Sequence, residues 1–237
     1  MLYPLLLVCG AVLLTVYIRE KIRAYTVKAV FLKAAVSTVF VTVGVYGAWA
    51  AAARGSAAVL CPFVVLGLLC GLLGDIWLDL KYVFPEQQGP FTYAGFGVFG
   101  LGHILFITGM LLTYCPAGKP LAWLLPGLLA VVMSLGNALL EKPMKLHYGR
   151  MKPVVIVYGA LLFATVLFAG SLALHYGWRE TPLNLLFFGG VSFALSDLIL
   201  SGTYFGQGKE RPIDLALNYV TYYGGQFLIA SALVFLP

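Results

Sequence analysis

The chain has 237 residues, 61% of them hydrophobic and 10% charged, and its mean hydropathy is +0.95. That apolar share lies far above a water-soluble domain's and the charge share far below it, which excludes a soluble enzyme. The fifteen Lys and Arg behind the net charge of +6 are scattered among short connections with no basic arm or aromatic-interleaved patch, which excludes nucleic acid as an expected partner.

Apolar runs of about 20 residues match the length that crosses a hydrocarbon core as an α-helix, and they lack the alternation of a β-barrel strand. Set against Gly, Pro and charge breaks, they predict an all-α polytopic bundle of eight transmembrane helices. These lie near 2–18, 27–49, 57–80, 94–114, 121–140, 154–176, 183–204 and 214–236. Residues 1–237 read as a single transmembrane helical domain.

Helix one has no basic residue before it, and its positive cluster (Arg19, Lys21, Arg23) follows it, the reverse of a cleavable signal peptide. Helix two carries Lys28 and Lys33 in its first turns. On helix three, Asp75 and Asp79 are one turn apart on a face that Gly67 and Gly71 continue toward the membrane centre. Small residues there permit close helix packing or leave a groove. His103, on helix four, sits among Gly95, Gly97, Gly100 and Gly102. Asp197 on helix seven lies roughly 10 Å inside its end at about 1.5 Å per residue. Asp214, Asn218, Tyr222 and Gln226 recur every four residues and give helix eight a polar stripe. Gly74-Asp75-Ile76 with Tyr82 echoes Ser196-Asp197-Leu198 with Tyr204, a weak hint of a parallel 4+4 repeat.

Lys and Arg concentrate in the odd-numbered loops: Arg19, Lys21 and Arg23; Lys81; Lys142, Lys145, Arg150 and Lys152; Lys209 and Arg211. The even loops hold Arg54, Lys119 and Arg179. The positive-inside rule therefore puts both termini outside and the odd loops in the cytosol. The expected location is a bacterial inner (plasma) membrane, with the polar residues converging on one cavity open to the cytosol. A charged side chain inside a bilayer costs about 2.5–3.5 kcal/mol on insertion scales, so buried acids call for a reason. Bland readings stand beside the functional ones. Asp79 and Lys28 are near enough to an interface to be solvated or snorkelling, Asp214 suits a helix N-terminal acid, and His103 suits a packing histidine. His147 and His175 read as solvated.

Cys9, Cys61, Cys70 and Cys115 form no CxxC pair and read as small apolar residues. Neither HExxH, GxSxG nor a P-loop is present, so no metal or other cofactor is expected, and serine nucleophiles and ATP hydrolysis lose support.

Taken together, Gly74-Asp75, Gly102-His103, Tyr158, Ser196-Asp197 and Gln226, in this order along eight helices, resemble the YhhN-type family of multi-pass membrane proteins, the lysoplasmalogenases. Where relatives often carry Lys-Pro near the start of helix two, Lys28 and Lys33 are each followed by alanine here. The resemblance implies hydrolysis of the vinyl ether of a lysoplasmalogen to a fatty aldehyde and a glycerophospho-ethanolamine or -choline, so a lysophospholipid and bilayer lipids are the expected partners. Protein partners stay open. Such a reaction needs an acid that keeps its proton at neutral pH, and low dielectric with a second acid nearby favours that form. Asp75 and Asp197 are the expected catalytic pair, with the division of labour open. His103, Tyr158 and Gln226 would hold the acids or a water, with Asp79, Ser196, Asp214, Asn218 and Tyr222 supporting. Lys33 would meet the lipid phosphate if it reaches the interface. Alternative readings of the same acids are a proton-coupled small transporter or lipid flippase, or a double-bond isomerase acting on another membrane lipid.

Overall fold

In a computed structural model the described residues are 2–24, 26–56, 58–118, 121–206 and 211–237. Among them lie eight α-helices and no strand: α1 (Leu2–Arg23), α2 (Val27–Ala53), α3 (Leu60–Val83), α4 (Gln88–Tyr114), α5 (Leu121–Leu139), α6 (Lys152–His175), α7 (Thr181–Phe205) and α8 (Pro212–Ser231).

Local chemistry sets the breaks. The Thr26 side chain caps α2 by accepting a hydrogen bond from the Ala29 N–H at 3.2 Å. After α2 the chain turns at Gly55 with φ +84°, a conformation only glycine adopts freely. Prolines stand at the starts of α6, α7 and α8, where a missing N–H costs nothing. Several helices outrun their apolar segments. α1 continues to Arg23 and α3 to Val83, because Lys and Arg continue a helix as well as leucine does. Lys21 and Lys81 therefore lie within helices, both buried, and are not loop charges as the count above took them. Lys119 and Lys209 of that count lie outside the described residues.

Among the described residues six helices are long and apolar enough to cross a membrane: α1, α2, α3, α4, α6 and α7, the fourth and fifth of these each counted with the short turn before it. This is the construction of a multi-pass membrane protein. Leu5, Val8, Phe31, Trp49, Leu128 and Val132 point outward as a bilayer-facing surface. The described apolar stretch of α5, Trp123–Leu139, is shorter, and α8 carries the polar stripe.

Contacts at the tips sort the ends. Arg54 donates to the Val234 and Leu236 carbonyls, and the Tyr176 hydroxyl to the Tyr114 carbonyl. The C-terminal ends of α2, α4, α6 and α8 thus share one side. At the other side Lys28 pairs with Glu20 at 3.0 Å, and the His147 N–H reaches the Phe205 carbonyl. Between α5 and α6, hydrogen bonds from Lys152 and the Tyr148 N–H hold the Glu141 carboxyl below its usual range. α3 packs on α4, α5 on α6 and α7 on α8, while α8 also touches α1, α2 and α3. A Cβ on Gly225 would lie 2.7 Å from the Gly189 carbonyl oxygen, so α7 and α8 meet almost backbone to backbone.

Candidate functional site

Near the odd-loop end, α1, α2 and α3 trap a chain of alternating charges. The Lys21 ammonium lies 2.9 Å from Asp79 Oδ2. Lys33 Nζ lies 3.2 Å from Asp79 Oδ1 and 3.3 Å from Asp75 Oδ1, bridging the two acids. The Tyr17 hydroxyl donates to Asp79 at 3.1 Å. Asp75 also accepts from the Ser37 hydroxyl at 2.6 Å and the Tyr222 hydroxyl at 2.8 Å. All four charges are buried, and in a low dielectric such groups persist only when paired and hydrogen-bonded.

Across from this chain stands Asp197 on α7. It accepts from the Tyr158 hydroxyl and, at 3.4 Å, from the Ser196 hydroxyl. Among the described residues no Lys, Arg or His nitrogen pairs with it. Asp75 and Asp197 line one narrow hollow, whose other walls include Lys33, Phe96, Tyr158, Asn218 and Tyr222. A second narrow hollow continues past Asp197 between α5, α6 and α7. An apolar groove of about 860 Å³ runs between α4 and α6, floored by Gly97 and Gly100. Phe96 and Tyr158 border all three.

Of the residues singled out by sequence, Asp75, Asp197, Tyr158, Ser196, Asn218, Tyr222 and Lys33 meet at this hollow. Asn218 donates to the Ser196 carbonyl at 2.7 Å and ties α8 to α7. Gln226 sits behind, donating to the Tyr222 hydroxyl at 3.2 Å. Asp79 is fully buried and anchors Lys21 and Lys33, which excludes the solvated reading. Lys33 is held between the two acids at the wall of the hollow, with its ammonium engaged by both carboxylates. His103 does not line the hollow. It packs against Phe193, with ring centroids 5.0 Å apart, and pairs with Thr165 through Nδ1, while its Nε2 is buried with no hydrogen-bond partner among the described residues. Asp214 pairs with the exposed Arg211 at 2.8 and 2.9 Å in the first turn of α8, away from the acids. This is the helix N-terminal role.

Sequence reasoning missed Tyr17, Lys21, Ser37, Phe96 and Tyr223, whose hydroxyl donates to the Lys33 carbonyl at 3.3 Å. Ser37 lies one helical turn from Lys33 on the same face, a spacing that would have found it. Phe96 and Tyr17 carry no such signal, since aromatics fill every helix here. Among the described residues no group of three or more His, Cys, Asp or Glu is gathered as metal ligands. The arrangement offers instead a carboxyl among uncharged hydroxyls facing a carboxylate held by an ammonium, across a space walled by aromatic rings. Such a pair can donate and accept protons on opposite sides of one bound molecule.

No curated protein and no solved structure matches the chain. The family model described as the YhhN family matches residues 29–233. That stretch opens in the first turn of α2 and closes just beyond α8, so it takes in every wall of the hollow and leaves α1 ahead of it. With so much of its length matched, the chain belongs to the YhhN family.

Proposed function

We propose that the protein is a lysoplasmalogenase, hydrolysing the vinyl ether of a single-chain ether phospholipid within the membrane. One observation carries the reading: Asp75 of α3 and Asp197 of α7 line the same hollow, in a chain of the family associated with this activity.

The partners of the two acids support a division of labour. Asp197, with only hydroxyl neighbours, is the proton donor; Asp75, facing the Lys33 ammonium, is the carboxylate. Asp197 gives its proton to the β-carbon of the enol ether, and positive charge develops on the carbon bonded to oxygen. Asp75 stabilises that cation and takes a proton from the water that adds to it. The resulting hemiacetal breaks its bond to the glycerol oxygen, which leaves with the proton from Asp75. The hemiacetal hydroxyl returns its proton to Asp197, releasing the aldehyde and resetting both acids. Paired carboxyl groups divide their work in this way around related cations. The hydrocarbon chain lies in the apolar groove between α4 and α6. All eight helices cross the bilayer, both termini face outside, and the hollow opens toward the cytosol of a bacterial inner membrane.

The test incubates purified protein in detergent with a lysoplasmalogen and with its saturated alkyl-ether analogue while aldehyde is followed. Aldehyde from the vinyl ether alone is expected. Asp75→Asn and Asp197→Asn should each lower turnover by about 10²-fold or more, the scale of losing a positioned acid or base, with elution and helix content unchanged. If both variants remain active, the acids are not the catalytic pair. Substrate consumed with no aldehyde released would indicate isomerisation.

A further inference from the structure

Three buried ammonium groups gather at the odd-loop end of the bundle, those of Lys21, Lys33 and Lys81, and among the described residues two buried carboxylates pair with them. Lys21 and Lys33 account for Asp79 and Asp75. Lys81, only 5% exposed, has no carboxylate within ion-pair distance among the described residues. Its ammonium lies 3.1 Å from the centroid of the Tyr204 ring and 5.0 Å from that of Tyr82. A ring face offers a cation part of what it loses on leaving water, but it brings no charge. Among the described residues this end of the bundle therefore holds one more buried ammonium than buried carboxylate, an arrangement that favours an anionic ligand.

Tyr204 is also a wall of both hollows beside Asp197, so a single ring separates the Lys81 ammonium from the proposed reaction space. Lys81 lies six residues beyond Asp75 on α3 and Tyr204 seven beyond Asp197 on α7. At about 1.5 Å per residue both stand roughly 10 Å nearer the odd-loop end than the acids. A glycerol backbone with its phosphoester spans a comparable length. The four-carbon stem of lysine lets the ammonium swing past the edge of a ring.

Resting on the hydrolase reading above, we infer that Lys81, backed by Tyr204, is the subsite for the phosphodiester of the lysolipid. The headgroup then sits toward the odd-loop end while the vinyl ether lies between Asp75 and Asp197. This gives Lys81 the role expected from sequence for Lys33.

The experiment compares wild-type protein, Lys81→Gln and Lys81→Arg on two vinyl ethers of equal chain length, a lysoplasmalogen and the corresponding alkenylglycerol without phosphate. The ratio of kcat/KM for the first substrate to that for the second should fall about tenfold or more in Lys81→Gln, since a charge-assisted hydrogen bond contributes about 1.5–3 kcal/mol. The fall should lie mainly in KM, and Lys81→Arg should retain most of the ratio. Glycerophosphoethanolamine and inorganic phosphate serve as competitors. Inhibition of the wild type by the former alone identifies a lipid headgroup site, while equal inhibition by both identifies a general phosphate site and overturns the lipid assignment. An unchanged ratio in Lys81→Gln overturns the subsite. If the wild type releases aldehyde from neither substrate, the hydrolase reading fails separately. The subsite is then decided by thermal stabilisation with a saturated lysophosphatidylethanolamine against a monoacylglycerol, where an equal shift in wild type and Lys81→Gln would sink it.

Discussion

Lys33 holds two carboxylates at once, and this makes it the residue on which the buried charges depend. Lys33→Met keeps much of the stem's volume but leaves Asp75 facing only hydroxyl donors and Asp79 with Lys21 and the Tyr17 hydroxyl. Breaking a buried ion pair by removing one partner costs about 3–5 kcal/mol. The variant should therefore unfold at clearly lower temperature in detergent, which a thermal melt followed by circular dichroism would record. Unchanged melting would mean that Lys33 is not the bridge its distances indicate. At this scale the sequence was readable where an ionisable group interrupts an apolar run. Asp75 and Asp197 stand out for that reason, and both line the hollow. Ser37 did not stand out, because a serine hydroxyl within a helix ordinarily returns to its own backbone, and Tyr223 is one aromatic among many. Lys21 was hidden differently, since a lysine just past an apolar run looks like a loop charge until the helix is seen to continue.

Among the elements, helix existence and order followed from the apolar runs, and the misplacements lie at the ends, where charged residues prolong helices. The polar stripe of α8 was right only in its middle. Residues spaced by four drift about 40° per step around a helix of 3.6 residues per turn. Asp214 and Gln226 thus face different directions, and only Asn218 and Tyr222 line the hollow. The glycines of α4 shape the groove against α6. A Cβ on Gly97 would meet nothing within 4 Å, so Gly97→Leu should fold normally while filling the groove. The expected outcome is a shift in chain-length preference, long-chain vinyl ethers losing kcat/KM relative to short-chain ones by about tenfold. That is the scale of displacing one or two buried methylenes at about 0.8 kcal/mol each. A chain-length series measured on both proteins would check it, and parallel profiles would remove the groove from the substrate path.

At the level of the whole molecule, the odd-loop end gathers the acids, the three lysines and most of the basic loops. Orientation therefore decides which compartment the hollow opens to. Even with Lys21 and Lys81 turned inward, Arg19, Arg23, Lys142, Lys145, Arg150 and Lys152 outweigh the other end. Reporters fused to the C-terminus should accordingly be active outside the cytosol, and cytosolic activity would reverse the orientation. No sequence pattern could have shown that α3 and α7 face each other across one space, because that depends on how α8 wedges against α2, α3 and α7.

The tie between α1 and Asp79 also bears on how the protein is made. α1 leaves the ribosome before α3, bearing a lysine whose carboxylate partner is encoded 58 residues later, on α3. Until α3 arrives, that ammonium is best accommodated at the headgroup layer, with α1 displaced or tilted to let it stay there. α1, mostly bilayer-facing in the finished protein, thus settles into place only as its partner is synthesised, so it docks after a helix that is inserted later.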